Sequence, residues 1–343
     1  MNDAGQVTPL LAEWRARALQ AEGEVGKAVV GQDKAIRLIT IALFARGHAL
    51  LEGDVGVGKT TLLRAFTRAL GGAYERIEGT VDLMPNDLLY YTYVDENGKP
   101  RVEPGPLLRH GEGLSTFFFN EINRARPQVH ALLLRAMAER SVSAFNREYH
   151  FPHLQVFADR NRVEREETFE IPSAARDRFM FELAIEAPKD RALRQALAFD
   201  PAFHDTDALI ERVAPGVLPY EDLNQIGALI QQVVVASPAI REYAMTVWEA
   251  THQPGHFGVS LPGVDMHALV LAGASPRGVA MLLRAARVAA WLDSRDYLVP
   301  EDLHNVFHEA IAHRIFFTPV YEMRRATLAR DLTHAILDRV AAP

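Results

Sequence analysis

The segment Gly53-Asp54-Val55-Gly56-Val57-Gly58-Lys59-Thr60 decides the fold, because it satisfies the pattern GxxxxGK[ST] in the setting that this pattern requires. The short apolar run at residues 48–51 predicts a strand before it, and helical spacing over residues 59–70 predicts a helix after it. Glycines in such a loop let backbone N–H groups surround phosphate oxygens, and the helix N-terminus adds the positive end of its dipole. The sequence therefore predicts a P-loop that binds ATP.

Strands and helices alternate through the first half of the chain. The apolar spacing predicts a helix within residues 26–46, where Ala35, Ile36 and Ile39 follow the turn Val30-Gly31-Gln32. Further strands are predicted at residues 73–77, 116–119, 155–158 and 179–185, and a helix at 129–139. This alternation predicts a mostly parallel sheet with helices on both faces.

Two hairpins and a helical region complete the predicted architecture. One hairpin pairs residues 90–94 with 101–103 across Asn97-Gly98, and the other pairs 141–145 with 149–151 across Asn146-Arg147. After Pro188 the strand signals fade, and helices are predicted at residues 191–198, 220–234, 238–253, 276–292 and 300–312. We predict an α/β P-loop core over residues 1–187 with two β-hairpin inserts, followed by an α-helical lid domain over residues 188–343.

The segment Phe117-Phe118-Phe119-Asn120-Glu121 has the form of the second strand that a P-loop site requires. Such a strand should end in Asp then Glu, with the Asp in the magnesium shell and the Glu polarising water. Glu121 is present, but Asn120 replaces the Asp and removes one negative charge beside the cation. We expect Lys59 to reach the β- and γ-phosphates, Thr60 to ligate Mg²⁺, and Asn120 to accept a hydrogen bond from metal-bound water. Nucleotide binding should survive this change better than turnover.

With these residues in place, the chain resembles the MoxR family of AAA+ ATPases over most of its length. Asn120-Glu121-Ile122-Asn123-Arg124-Ala125 is similar to the family's DEINRA segment. The other similar segments are Val30-Gly31-Gln32, residues 47–53 (GHALLEG), residues 82–88 (DLMPNDL), Gly105-Pro106, Asp177-Arg178-Phe179, residues 273–278 (GASPRG), Arg295-Asp296-Tyr297, Pro300-Glu301-Asp302 and His313-Arg314-Ile315. Residues 157–162 stand where the family has an ATQNP-like strand, and only Ala158 and Asn161 match it.

The resemblance implies roles for residues outside the P-loop. Asn161 would be the sensor-1 residue, Arg178 a finger reaching a neighbouring subunit's nucleotide, and Arg277 a contact to the γ-phosphate from the lid. A supplied arginine can raise the rate of phosphoryl transfer by ~10³–10⁵. The predicted catalytic residues are Lys59, Glu121, Asn161, Arg178 and Arg277. The predicted nucleotide-binding residues are Gly31, Gln32, Gly53, Asp54, Val55, Gly56, Val57, Gly58, Lys59, Thr60 and Thr61, between core and lid.

Two further residues are secondary candidates. Arg176 lies two residues before Arg178 and is the weaker candidate for a finger. Asp159 stands where the family has Thr, and the strand period of two puts it on the same face as Asn161. We hypothesise that Asp159 returns negative charge to the magnesium shell that Asn120 lacks. The alternatives are an ion pair with Arg160 or Arg162, or an Asn120 introduced as a trap mutation.

Composition excludes several classes of protein. The 343 residues include no cysteine, which excludes disulfides, thiol catalysis and zinc–thiolate sites. No apolar run approaches the ~20 residues of a membrane span, and residues 1–10 lack the pattern of a secretory signal, so we expect a cytoplasmic protein. The thirteen histidines show no metal-ligand spacing, and His313 is expected to be structural. A net charge of −7 disfavours a nucleic-acid partner.

The resemblance also implies a function. The family forms homo-oligomers, typically hexameric rings, that use ATP and Mg²⁺ to remodel or activate a client protein. It commonly works with a von Willebrand factor A-domain partner and assists metal or cofactor insertion into a client enzyme. Two other functions stay open. A nucleic-acid motor of the related helicase kind would carry Lys or Arg at the hairpin tips, whereas residues 95–99 (DENGK) are mixed; a nucleotide-gated scaffold with little hydrolysis would fit Asn120.

Overall fold

A five-stranded parallel sheet is the centre of the first half of the chain, in a computed structural model that describes residues 4–161 and 169–343. The strands of this half are β1 His48–Glu52, β2 Ala73–Glu78, β3 Tyr90–Val94, β4 Pro100–Pro104, β5 Leu114–Asn120, β6 Ser141–Ala144, β7 Arg147–His150, β8 Gln155–Arg160 and β9 Phe179–Ala184. The sheet has the order β2-β5-β8-β1-β9, and all its neighbouring strands are parallel. The predicted α/β core is therefore confirmed.

Helices cover both faces of this sheet. They are α1 Ala4–Ala28, α2 Asp33–Phe44, α3 Lys59–Leu70, α4 Pro85–Leu89, α5 Pro127–Glu139 and α6 Ser173–Arg176. Strand β5 is buried along its whole length, as expected for a strand between two helical layers. Successive side chains of a strand point to opposite faces, so Phe118 packs in one hydrophobic cluster while Phe117 and Phe119 pack in the other.

The rest of the chain is mainly helical, as predicted. Its elements are α7 Arg191–Phe199, α8 Thr206–Glu211, α9 Leu223–Val233, α10 Pro238–Ala250, α11 Met266–Leu269, β10 Val270–Ala272, α12 Pro276–Leu292, α13 Pro300–Ile311, β11 Phe316–Phe317, α14 Pro319–Glu322 and α15 Arg325–Arg339. The short antiparallel pair of β10 and β11 was not predicted. The domain boundary near residue 187 stays a prediction, because one hydrophobic cluster runs from the sheet into these helices. No helix in the described ranges is both long and apolar enough to cross a membrane.

Helix α1 was missed by the sequence analysis, although it joins the two halves of the molecule. It packs against α2 and α3 of the core and against α9 and α12 of the lid. Trp14 of α1 meets Phe44 edge to face at 6.4 Å between ring centroids, and Phe44 lies 4.8 Å from Trp291 of α12. The Trp291 indole N–H donates to the Leu11 carbonyl at 3.1 Å. The contacts that bury the apolar side chains of α1 therefore come from distant segments of the chain. The local spacing of apolar residues does not reveal these contacts.

The two predicted hairpins are present, with one error in register. Strands β3 and β4 pair antiparallel, and Asp95 accepts hydrogen bonds from the amides of Asn97 and Lys99 in the connecting turn. Strands β6 and β7 pair across Phe145 and Asn146, whereas the prediction put the turn at Asn146-Arg147. Both Phe145 and Asn146 have positive φ, at 52° and 58°. The aromatic Phe145 favours strands by propensity, and the two-residue turn overrides that preference.

Asp177, just before β9, is the contact point between sheet and lid. Its carboxylate accepts from Ser275 Oγ at 2.6 Å, from Arg277 Nη1 at 2.8 Å and from Arg314 Nε at 3.1 Å. Arg314 is 2% exposed and also donates to the carbonyls of Asp177 and Phe179, at 3.0 and 2.7 Å. Burial lowers the pKa of Arg314 to about 10, against the opposing effect of Asp177. A buried cation of this kind depends on its carboxylate partner.

We expect Asp177→Asn to lower the free energy of unfolding by about 2 kcal/mol. Breaking a fully buried ion pair costs about 3–5 kcal/mol, and the Asp177 side chain is 20% exposed. The control is Asp207→Asn, which breaks the exposed pair with Arg64 and should cost less than about 1 kcal/mol. Denaturant unfolding of both variants checks the prediction. Equal costs would show that Asp177 does not hold the lid.

Candidate nucleotide site

The P-loop lies between the end of β1 and the start of α3, as the sequence predicts. Gly56 and Gly58 have φ of 80° and 89°, which is the left-handed region that glycine occupies without strain. A Cβ atom on either residue would meet nothing within 4 Å, so this side of the loop is open. Gly58 is the N-cap of α3 and supplies no side-chain cap to the first helical amides. These N–H groups are therefore available to phosphate oxygens.

Lys59 is held by oxygen atoms below the loop. Its ammonium donates to the Gly53 carbonyl at 2.7 Å and to Asn161 Oδ1 at 2.7 Å. Asp159 Oδ2 lies 3.5 Å away, and the lysine side chain is only 8% exposed. The structure thus brings together the predicted residues Lys59, Asn161 and Asp159, which come from α3 and from the end of β8.

Glu121 follows β5 and faces the same cluster. Its Oε1 accepts from Asn161 Nδ2 at 3.1 Å, and its Oε2 accepts from Arg124 Nη1 at 2.9 Å. The backbone of Glu121 has φ 53°. This conformation is unfavourable for any residue other than glycine, and residues that adopt it cluster at functional sites. Arg124 was not among the predicted site residues, although its position three residues after Glu121 was a usable signal.

Asn120 and Asp159 are neighbours at the edge of the sheet. The amide orientation that satisfies the surroundings puts Asn120 Nδ2 at 3.2 Å from Asp159 Oδ1 and its Oδ1 at 3.3 Å from Arg76 Nη2. Asp159 Oδ1 also accepts the Glu121 amide at 2.6 Å. Burial raises the pKa of the Asp159 carboxyl, while the Glu121 amide and Lys59 oppose that shift. The Asp159 carboxylate and the Asn120 side-chain amide therefore lie side by side at the ends of β8 and β5.

Two arginine alternatives are contradicted by the structure. Arg160 pairs with Glu52 at 2.9 Å and with Glu182 at 3.1 Å, so it is not the partner of Asp159. Arg176 also pairs with Glu182, at 3.1 Å, and its side chain is 12% exposed. Burial would raise the pKa of Glu182, but Arg176 and Arg160 together hold it well below the usual range. Arg176 is thus engaged inside its own chain and is a poor finger. Arg162, the other alternative partner of Asp159, lies outside the described residues.

The predicted adenine elements line a cavity of about 580 Å³ between core and lid. Gln32 Nε2 donates to the Glu186 carbonyl at 2.6 Å, and a Cβ atom on Gly31 would come within 2.9 Å of Pro188. His308 and His334 line the lid side of this cavity. Burial lowers the pKa of His308, which favours the neutral ring. The assignment of Gly31 and Gln32 to adenine binding stays a prediction.

Arg178 and Arg277 lie at the edge of the sheet opposite the P-loop. Phe179, next to Arg178, pairs with His48 at the start of β1, whereas the P-loop follows the end of β1. A strand rises about 3.3 Å per residue, so the length of β1 puts about 13 Å between the two edges. Arg277 is bound to Asp177 and lines the same cavity as Arg178. The expectation that Arg277 contacts the γ-phosphate from the lid stays a prediction, and in a single chain this side chain lies at the edge of the sheet opposite the P-loop.

Comparisons with known proteins agree with this architecture. Residues 48–181 match the family model "ATPase family associated with various cellular activities (AAA)", and residues 265–335 match the model "AAA lid domain". The chain is 64% identical to Protein MoxR of Methylorubrum extorquens over 343 residues, which covers all of both chains. The chain belongs to the MoxR family of AAA+ ATPases.

A more distant relative supports the assignment to the MoxR family, and a solved structure supports the fold. Chaperone MoxR1 of Mycobacterium tuberculosis is 31% identical over 331 residues, which cover 93% of this chain and 81% of the relative. The crystal structure of a protein from Cytophaga hutchinsonii with a provisional ATPase assignment superposes with a TM-score of 0.83 at 27% identity. It covers 99% of this chain, and this chain covers 98% of it. The lid arrangement thus recurs in a solved relative.

The residues near the P-loop of this MoxR-family chain fit a magnesium–nucleotide pair. Thr60 lies in the first turn of α3, and the carboxylates of Asp159 and Glu121 lie at the adjoining ends of β8 and β5. Carboxylate and hydroxyl oxygens are the ligands that Mg²⁺ accepts, and it keeps several waters when nucleotide phosphates complete its shell. No cluster of three metal-ligating side chains occurs in the described part of the chain, so Mg²⁺ would depend on the phosphates.

Proposed function

We propose that this chain is a MoxR-type ATPase whose active site is shared between two copies. One copy supplies the P-loop, Glu121 and Asn161, and the next copy supplies Arg178 and Arg277. The observation that carries the proposal is the placement of both arginines at the sheet edge opposite the P-loop. Neither side chain can serve the nucleotide of its own chain from that edge. In a head-to-tail assembly both would face the site of the neighbour.

The chemistry of the chain's own residues fits ATP hydrolysis. Lys59 holds a cation beside the phosphate loop, and Glu121 carries a carboxylate positioned by Arg124 and Asn161 to orient and deprotonate water. Bound Mg²⁺ would neutralise charge on the phosphate oxygens. Because phosphoryl transfer depends on electrostatic stabilisation, two arginines supplied by a second copy would complete the site.

The two edges of the sheet differ in charge. At the P-loop edge Asp159 and Glu121 are paired with Lys59 and Arg124, whereas at the opposite edge Arg46 and Arg178 have no carboxylate partner among the described residues. A contact between unlike surfaces is heterologous and closes into a ring when the rotation permits it. We therefore propose a homo-oligomeric ring, and the resemblance implies a hexamer. This part of the proposal rests on charge and placement.

The client-directed part of the proposal rests on the relatives and on the hairpins. One relative is named a chaperone, which supports remodelling or activation of a client protein. The family resemblance implies in addition a von Willebrand factor A-domain partner and a role in inserting a metal or cofactor into the client. The β3–β4 hairpin exposes Tyr91, Tyr93 and Val102, and Phe145 of the second hairpin packs against Tyr90 with 4.9 Å between ring centroids and an angle of 50° between the ring planes. Exposed apolar hairpins suit a protein client.

The hairpins offer less support to a nucleic-acid motor. Arg101 of the first hairpin pairs with Asp95 at 2.9 Å, so its charge is neutralised at the tip. Arg147 is exposed in the second hairpin but lies next to Glu148. With a net charge of −7 the chain carries no general attraction to a phosphate backbone. A protein client is therefore the better proposal.

We also propose that Asp159 takes over the charge that Asn120 lacks. Two carboxylates at the 3.2 Å separation of these side chains could not both ionise readily. An Asp at position 120 and Asp159 would therefore exclude each other, and the acid of the magnesium shell has moved from β5 to β8. The contacts of Asp159 with Lys59 and with the Glu121 amide support this placement.

The shared site predicts different defects for its two halves. Lys59→Ala should abolish ATP binding, because the loop loses its phosphate-contacting cation. Arg178→Ala should leave ATP binding within about threefold and lower hydrolysis at least a thousandfold. Equilibrium binding of a fluorescent ATP analogue and steady-state turnover measure both quantities, and Lys99→Ala at the hairpin tip is the control for loss of a lysine. Unchanged ATP affinity in Lys59→Ala, or loss of affinity in Arg178→Ala, would contradict the arrangement.

The proposal that Asp159 supplies the negative charge that Asn120 lacks predicts the outcome of a double-mutant cycle. Asp159→Asn keeps an acceptor for the Glu121 amide but removes the charge, and it should weaken Mg²⁺-dependent ATP binding about tenfold or more. Adding Asn120→Asp to that variant should restore the binding, because the acid returns to β5. Magnesium titrations of nucleotide affinity provide the measurement. If Asp159→Asn leaves the Mg²⁺ dependence unchanged, or if the two substitutions are additive, Asp159 does not compensate.

A further inference from the structure

The cavity at the arginine edge contains more cations than the proposed function uses. Its volume is about 410 Å³, and it lies between the end of α5, the start of β1 and helix α12. Five arginines line it: Arg46, Arg140, Arg178, Arg277 and Arg284. No aspartate or glutamate is among its described lining residues. A water occupies about 30 Å³ of liquid volume, so there is room for a hydrated oxyanion.

The charges of these guanidiniums are largely unpaired. Arg277 pairs with Asp177, but within residues 4–161 and 169–343 no carboxylate forms a salt bridge with any of the other four. Arg140 donates to the carbonyls of Leu154 and Arg46, and Arg284 donates to the Ala45 carbonyl. Backbone carbonyls satisfy N–H groups without neutralising their charge. The Nε atoms of Arg46 and Arg178 are buried without a hydrogen-bond partner.

Burial lowers the pKa values of Arg46, Arg140 and Arg284, and repulsion between these guanidiniums adds to the shift of Arg140 and Arg284. Burial lowers the pKa of Arg140 to about 10, and Arg46 and Arg284 contribute to the shift. Burial also lowers the pKa of Arg284, with a contribution from Arg46, and lowers that of Arg46 itself. His48, fully buried beside them, has a pKa lowered to about 3 by burial and by Arg140, so it adds no charge. The arrangement costs free energy unless an anion enters the cavity.

Arg46 is the least suited of these residues to a purely structural role. Its backbone has φ 53° because it lies at the end of α2, just as Arg140 has φ 52° at the end of α5, so the backbone does not distinguish the two. Its side chain donates no hydrogen bond to another described residue, in contrast to Arg140 and Arg284. A partly buried guanidinium without a carboxylate partner at this position is a charge that an anionic ligand would neutralise.

We propose that Arg46, Arg140 and Arg284 form a phosphate-binding site in the cavity that Arg178 and Arg277 also line. The ligand is a tetrahedral oxyanion of the phosphate class. Planar guanidiniums match phosphate oxygens in pairs, and three of them converge here around a space without acids. The phosphate has two possible sources: free inorganic phosphate, or the terminal phosphate of a nucleotide at the P-loop of a second copy. Only the second source rests on the proposed function.

The first arm of the test uses inorganic phosphate alone. It is carried out in the Lys59→Ala background, which disables the P-loop as a competing phosphate site. Phosphate at constant ionic strength should raise the unfolding temperature, and calorimetric titration should give one site per chain. Adding Arg46→Asn should weaken that binding about tenfold to a hundredfold.

In chloride buffer Arg46→Asn should not lower the unfolding temperature, because it removes a like charge and suits the left-handed backbone. Arg212→Gln, an exposed arginine outside the cavity, is the matched control.

The second arm tests the nucleotide of a second copy. Glu121→Gln chains are sedimented with Mg²⁺ and ATP, with and without Arg46→Asn. If ATP-promoted association is lost only in the Arg46→Asn chains, the phosphate comes from the nucleotide of a second copy. If phosphate binding in the first arm depends on Arg46, the site binds free phosphate. The inference is overturned if Arg46→Asn changes neither arm, or if it lowers the unfolding temperature in chloride, since Arg46 would then be structural. If ATP promotes no association even with Arg46 intact, the shared site fails, while the first arm still decides the phosphate site.

Discussion

The ion pair between Asp177 and Arg314 attaches the lid to the sheet, and the positions of Arg178 and Arg277, the two arginines proposed to act in trans, depend on it. Arg314 enters from the end of α13 and is almost fully buried, so it requires the carboxylate. The same carboxylate accepts from Ser275 and Arg277 at the start of α12. Because Asp177 precedes β9, these contacts fix the start of α12 at the sheet edge opposite the P-loop. A lid attached there holds Arg277 at the opposite end of β1 from the P-loop of its own chain.

Charge is distributed accordingly between the two edges. Lys59 is surrounded by Asp159, Asn161 and backbone carbonyls, so the P-loop edge satisfies its cation within the chain. At the opposite edge Asp177 pairs with Arg277 and Arg314, whereas Arg46, Arg140, Arg178 and Arg284 have no carboxylate partner among the residues that the structure describes. Such an imbalance is costly in isolation and favourable when an anionic partner approaches. The monomer is thus electrostatically incomplete at one edge, and that edge is where assembly or phosphate binding can stabilise it.

Much of the fold and the P-loop side of the site could be predicted from sequence, because local pattern controls them. The glycines before Lys59, the apolar strand before Glu121 and the period-two relation of Asp159 and Asn161 all depend on neighbours in the chain. At the other edge the resemblance named Arg178 and Arg277, but their placement beside Arg46, Arg140 and Arg284 could not be predicted, since it depends on long-range packing. Nothing near Arg277 in sequence shows that Asp177, a hundred residues earlier, binds it. The strained turn at Phe145 and the docking of α1 through Trp14 were missed for the same reason.

The placement of Arg277 is the most direct test of a shared site. Arg277→Ala and Glu121→Gln chains are each expected to be nearly inactive. When equal amounts are mixed and co-assembly is verified, about a quarter of the interfaces in a head-to-tail ring join an intact Glu121 to an intact Arg277 of the next copy. ATP hydrolysis should then recover to a corresponding fraction of the unmodified protein's rate. No recovery in a demonstrated co-assembly would show that Arg277 acts within its own chain and would contradict the account.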